Sequence, residues 1–177
     1  VLEVTSSSPM DNSTGVTTTT DIAIDFSENI AGSTVGNVTV RDVTGTADFE
    51  VFNIANATAT STPSAGAIGI LNDKIYINPT ISLTELNVYS IRIDATAIDD
   101  TSGNSFAGIT NDIDFNFTSA DETDPSFTSV GSTPNDDATD VATANDIVVD
   151  FDENIALGTG NVTVRDVTGT ADFEVFN

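Results

Sequence analysis

The chain has 177 residues, and its 28 Asp and Glu against four Lys and Arg leave a formal charge of −24. Such a surface repels phosphate backbones, which argues against a nucleic-acid partner. Cys, His and Trp are absent, so there is no disulfide framework, no thiolate nucleophile, no Ser-His-Asp triad and no Cys- or His-ligated zinc. What remains as metal chemistry is hard oxygen ligation, to which an Asp-rich chain is suited.

Asp outnumbers Glu by 21 to 7, and Thr (28) and Ser (16) make up about a quarter of the chain. That balance favours strands and turns over helices. In chain order, a first strand is expected near Leu2 to Ser7. Over Asp21–Phe26, Ile22, Ile24 and Phe26 point one way and Asp21, Ala23 and Asp25 the other. Val38 and Val40 alternate with Thr39 and Arg41. Phe49 and Val51 alternate with Glu50 and Phe52. Ile75 and Ile77 flank Tyr76. Tyr89, Ile91 and Ile93 alternate with Val88, Ser90, Arg92 and Asp94. Ile113, Phe115 and Phe117 alternate with Asp112, Asp114 and Asn116. Alternation of period two marks half-buried strands, and Gly, Pro, Asn and Asp clusters separate them. No segment carries a 3.6-residue apolar period, and none approaches the ~18 apolar residues of a membrane helix. Nor does Val1 open a basic segment followed by an apolar one, so no signal peptide is read there. About seven short strands in about 120 residues predict an all-β, two-sheet antiparallel sandwich.

The sequence repeats itself. Gly36 to Asn53 reads GNVTVRDVTGTADFEVFN, and Gly160 to Asn177 reads the same 18 residues. Upstream, DIAIDFSENIA from Asp21 matches DIVVDFDENIA from Asp146, and Pro9, Asp11, Thr14 and Val16 match Pro134, Asp136, Thr139 and Val141. The offset is 125 residues before the loop at Gly32–Val35 and 124 after it. A module of about 124 residues therefore recurs in tandem. Ala120-Asp-Glu-Thr-Asp-Pro125 reads as a stiff acidic linker. The expected organisation is one complete module over 1–120, then linker plus the N-terminal part of a homologous module over 121–177. Such a part leaves an inner face (Val149, Phe151, Val162, Val164) for a partner to cover. Later strands of a longer chain or strands from a neighbouring copy could do so.

The segments SSSPMDNSTGV, DIAIDFSENI, KIYINP, NVYSIRID, DDTSGNSFAG and DFNFTSAD occur in that order. In order and spacing they resemble the bacterial Ig-like repeat family found in surface-layer proteins and large adhesins. The resemblance covers all of the first module and the first half of the second. It implies an Ig-like sandwich, arrayed in tandem, in an extracellular setting, and it implies no catalysis.

Sandwich topology suggests one place for chemistry. The loop after Asp21–Phe26 (Ser27 to Gly36) and the loop after Asn87–Ala97 (Ile98 to Gly108) should meet at the pole where the chain comes in. Glu28, Asp99, Asp100 and Asn104 should therefore converge there. In the second module the incoming linker brings Asp121, Glu122 and Asp124, and the loop counterpart is Asp152 with Glu153. Crowded carboxylates repel one another without a cation, and calcium takes six to eight such oxygens. The expectation is Ca2+ at each acidic junction. The competing reading is a plain solvated loop in which Asp caps a turn and Gly supplies a positive φ; the EF-hand spacing is absent.

On these grounds the chain reads as a non-enzymatic structural or adhesive repeat of a secreted bacterial surface protein. Its partners would be neighbouring modules, copies of itself, or a cell-surface or matrix ligand, with no membrane insertion. A self-assembling filament or lattice subunit is the first alternative. A carbohydrate- or ligand-binding accessory module of a secreted enzyme is the second, although the chain has no Trp and only two Tyr from which to build a sugar platform.

Overall fold

The computed structural model describes Val1–Asn177 and divides into two compact units, Val1–Glu122 and Thr123–Asn177. No helix is long and apolar enough to cross a membrane.

Unit 1 is a two-sheet sandwich. One sheet has the order β1 (Val4–Ser8), β3 (Ile22–Phe26), β8 (Lys74–Asn78), β7 (Ala67–Leu71). The other runs β2 (Ser13–Val16), β11 (Asn116–Ser119), β9 (Val88–Ile93), β5 (Asn37–Asp42), β6 (Ala47–Asn53). A short ribbon of β4 (Ile30–Gly32) and β10 (Ile98–Asp100) completes the unit. All pairings are antiparallel except β2 with β11, which is parallel. The N-terminal segment serves both sheets: β1 pairs with β3, the chain turns through the cis Ser8–Pro9 peptide and Asn12 (φ 59°), and β2 joins the opposite sheet.

The alternation read from the sequence is the core. Ile22, Ile24 and Phe26 with Ile75 and Ile77 form one inner face, and Val38, Val40, Tyr89, Ile91, Ile93 and Phe117 form the other. Each fully buried aliphatic side chain contributes about 2 kcal/mol. Tyr89 sits in the core with Phe49 edge-on at 5.4 Å and Phe117 stacked at 5.9 Å. Its buried hydroxyl accepts a hydrogen bond from the Thr84 N–H at 2.8 Å, so its polar end is satisfied.

Three expectations shift. Ile113 does not face the core but is 77% exposed, because β11 begins only at Asn116. Ahead of it, the Asn111 side chain accepts from the Ile113 and Asp114 amides and folds the segment into a turn. On β6 Phe49 packs against the core and Phe52 is buried, whereas Val51 is 52% exposed. A bulge between Val40 and Arg41 in the β5–β6 pairing accompanies this change of face. The strand β7 has no counterpart among the strands expected from alternation. Its Gly69 lies where a Cβ would strike the Thr60 carbonyl, and a strand with so little side chain gives a weak alternation signal.

Unit 2 consists of two separate antiparallel pairs, β12 (Phe127–Thr133) with β13 (Val148–Phe151), and β14 (Val162–Asp166) with β15 (Ala171–Phe176). Its apolar residues are largely exposed: Val149 is 48%, Val162 65% and Phe173 78% accessible.

Candidate functional site

The pole where the chain enters unit 1 is built as the topology suggested, but its carboxylates are used differently. Ser27, just past β3, lies against the incoming chain. Its amide donates to the Glu3 carbonyl at 2.9 Å, and its Oγ accepts from the Glu3 amide at 3.2 Å. The loops after β3 and β9 are joined by the β4–β10 ribbon, with Asp100 opposite Ile30 and Asp99 opposite Ala31. Phe106 closes the loop onto the core by an edge-on contact with Phe26 at 5.3 Å.

Asp100 is buried and organises the turn that follows. One carboxylate oxygen accepts from the Ser102 and Asn104 amides, both at 2.8 Å. The other accepts from the Asn104 side-chain amide at 2.7 Å. The Gly103 amide donates to the Asp100 carbonyl at 3.1 Å, and Gly103 takes a φ of 85°, which glycine adopts without penalty. The Asn104 side chain and then the Asn104 amide hold the Asp100 carboxyl below its ordinary value, and the other backbone donors add to this against the opposing effect of burial. Asp99, the neighbouring residue of β10, points to the opposite side of the ribbon, where it accepts from Ser105 Oγ at 2.6 Å. Glu28 is exposed.

The expected convergence of Glu28, Asp99, Asp100 and Asn104 on one ion is therefore not seen in the geometry. Adjacent strand residues cannot face the same point, and Asp100 and Asn104 bond to each other. Neither unit gathers three or more acidic side chains into a group that could hold a metal ion.

The linker acids are divided in the same way. Glu122 is the last residue of unit 1. Its carboxylate accepts from Thr18 Oγ1 at 2.6 Å and from the Thr18 amide at 3.3 Å, tying the outgoing chain to the Thr17–Thr20 loop. Asp121 and Asp124 are exposed. In unit 2, Asp152 stands where Ser27 stands in unit 1 and makes the same clamp. Its Oδ1 accepts from the Ser126 amide at 2.7 Å, and its own amide donates to the Ser126 carbonyl at 3.1 Å. Glu153, next in sequence, is half-buried. Both copies carry a short polar acceptor at this repeat position, and aligning the two repeats is enough to reveal it.

A second polar cluster was missed by sequence reasoning. Asp112 receives Arg92 in a two-pronged bond, Nε to Oδ1 at 2.9 Å and Nη2 to Oδ2 at 2.7 Å. Ser90 Oγ donates to Oδ1 at 2.6 Å, and Arg41 Nε lies 3.5 Å from Oδ2. The Arg92 hydrogen bonds hold the Asp112 carboxyl low, and the bond to Asp112 raises Arg92. Two of the four basic residues thus pin the segment before β11 to the outer face of β5 and β9. On the other sheet Lys74 pairs with Asp25, whose second oxygen accepts from Ser6 Oγ at 2.6 Å.

A groove of about 650 Å3 between β1 and the 106–115 segment is lined by Leu2, Val4, Met10, Phe106, Ile109 and Phe115 among others and contains no Trp or Tyr. In the two polar clusters Asp100 holds a turn and Asp112 holds an ion pair with Arg92.

No curated protein matches the chain. The family description "Bacterial Ig-like domain" matches twice, over residues 1–119 and again over 121–175. With a two-sheet sandwich in unit 1 and family matches that span almost the whole length in tandem, the chain belongs to the bacterial Ig-like domain family.

Proposed function

We propose that the chain is a non-catalytic structural repeat of a secreted bacterial cell-surface protein, in which tandem sandwich modules act as a spacer. The observation that carries this reading is the tandem repeat. Two family matches follow one another, and 18 residues of one module recur unchanged in the other. Repetition serves reach and load-bearing, whereas a catalytic site needs a unique constellation of residues. The polar chemistry fits: carboxylates cap turns, clamp the incoming strand and tie down the outgoing one. Family membership supports it as well, because bacterial Ig-like domains are generally structural modules of extracellular or surface proteins.

The test is immunolabelling of intact source cells with antibodies raised against residues 1–122. Labelling without permeabilisation is the expected result, and labelling only after permeabilisation would refute the surface assignment. An adhesive role is tested separately, by whether the purified chain binds host-matrix or cell-wall preparations.

A further inference from the structure

β1 pairs with β3 in the register Val4–Phe26, Ser6–Asp25, Ser7–Ile24 and Ser8–Ala23, and it ends its sheet on the other side. Residues directly opposite one another share a face, and Phe26 and Ile24 are buried. Val4 and Ser7 therefore face inward. A bulge between Val4 and Ser6 sets both on one face although they are three residues apart. Yet Val4 is 36% exposed and Ser7 only half-buried. The strand reads VTSSS, and its one large apolar side chain does not fill the space between the sheets at this edge. What is left is the groove floored by Phe106, Ile109 and Phe115. Met10, 72% exposed, stands at its lip. Glu3, Asp11 and Asp114 also line it, and no Lys or Arg does.

The backbone beside the groove is open as well. The Phe26 amide donates to the Asp73 carbonyl, on the β8 side of β3. Main-chain groups alternate in direction along a strand, so Ile24 faces β8 too. Val4 and Ser7 then form the non-hydrogen-bonded kind of pair with them, and their amides and carbonyls turn to the outer edge. Chain ahead of the strand does not cover this edge. In unit 2 residues 123–126 precede β12, which likewise runs into a cis X–Pro bond, and they form no strand along it.

We propose that the outer edge of β1 and the groove beneath it form a docking site for one extended segment of another protein, apolar at alternate positions and basic at both ends. Its main chain pairs with the free groups of Val4 and Ser7, and its apolar side chains enter the groove over Ile109 and Phe115. Its Lys or Arg residues meet Glu3 at one end of β1 and Asp11 and Asp114 beyond the other. Met10 is an adaptable lip for such side chains. Charge argues against a second copy as the occupant, since each copy carries −24. Docking at this edge goes beyond the spacer role and does not rest on it.

The probe is the synthetic peptide KKVTVTITVKK, added to the intact 177-residue chain with assigned backbone amides. The expected result is saturable binding that slows exchange of the Val4 and Ser7 amides about tenfold or more. Binding should weaken as NaCl is raised from about 0.05 to about 0.5 M. The acidic counterpart EEVTVTITVEE should give no protection. Ser7→Pro removes a donor at a free edge, which an edge strand tolerates. It should abolish binding while the Ser6 and Ser8 amides, which face β3, stay protected. Met10→Ser trims an exposed side chain and should weaken binding. Equal protection by the acidic peptide would overturn the proposal. So would an unchanged Ser7 amide at millimolar KKVTVTITVKK, or undiminished binding by either variant. Protection of Val4 and Ser7 without peptide that is lost on dilution would also overturn it, by placing a second copy of the chain on the edge instead.

Discussion

One sequence of 18 residues appears in two settings in this molecule. As β5–β6 it carries two fully buried valines and a buried Phe52; as β14–β15 it carries Val162 at 65% and Phe176 at 50% exposure. The turn, the register and the bulge are nevertheless the same. Hairpin geometry is therefore written locally, in the Asp-capped turn and in a Thr accepting a positive φ. Burial is written elsewhere, in β9 and the opposite sheet. Even the cross-strand ion pair follows context, at 3.1 Å between Arg41 and Asp48 but 3.6 Å between Arg165 and Asp172. The 3.1 Å pair is the one with Arg92 and Asp112 beside it.

The comparison is broken most forcefully by one substitution made in both copies. Val40→Asp places a charge in the core and should cost more than about 4 kcal/mol, unfolding unit 1. Val164→Asp, at a half-buried position, should cost no more than about 1 kcal/mol. Chemical denaturation of each variant checks both, and equal effects would show that the hairpins share one environment. Next in size is Asp100→Ala, which removes the acceptor for three hydrogen bonds in a buried turn. The melting temperature of unit 1 should fall clearly, and by more than in Asp99→Ala, which loses one bond to Ser105.

A smaller effect appears on acidification. Asp100 and Asp112 have folded-state values below their unfolded ones. Their contribution is complete above the ordinary carboxylate range near pH 4, and it is lost as pH falls through the lowered folded values, since the unfolded chain then binds protons first. A denaturation series from pH 6 downward should show stability falling below about pH 4. Asp112→Asn should flatten part of that fall. The smallest expected effect concerns calcium. With the loop carboxylates bonded as they are, millimolar Ca2+ should shift the melting temperature no more than equal Mg2+. A rise specific to Ca2+ would show that these loops rearrange into an ion cage.

Much of the sandwich was legible in the sequence, because Ile22, Ile24, Phe26, Tyr89, Ile91 and Ile93 alternate cleanly. Pattern failed where the partner of a residue is distant. Ile113 continues the alternation of Phe115 and Phe117, yet Asn111 turns the chain ahead of β11. Val51 and Phe52 exchange faces beside a bulge that no run of residues announces. The meeting of the loops after β3 and β9 followed from topology. Which way each carboxylate points did not, because Asp99 and Asp100 are alike in composition and opposite in direction. The bonds from Glu122 to Thr18 and from Asp112 to Arg92 span 104 and 20 residues, beyond the reach of local pattern.

The parallel pairing of β2 with β11 has a mechanical consequence. These strands lie near the two ends of unit 1, so tension applied between the ends pulls them past each other lengthwise. Their cross-links, from the Asn12 amide to Asn116 at 2.7 Å, from the Ala120 amide to Val16 at 2.6 Å and from Thr18 to Glu122, then share the load rather than parting one by one. A strand pair sheared in this way yields at higher force than one peeled from its end. Single-molecule stretching should find one dominant rupture peak for unit 1, lowered by Thr18→Val. A protein of such units would lengthen in steps under drag, each step absorbing work before the next unit gives way.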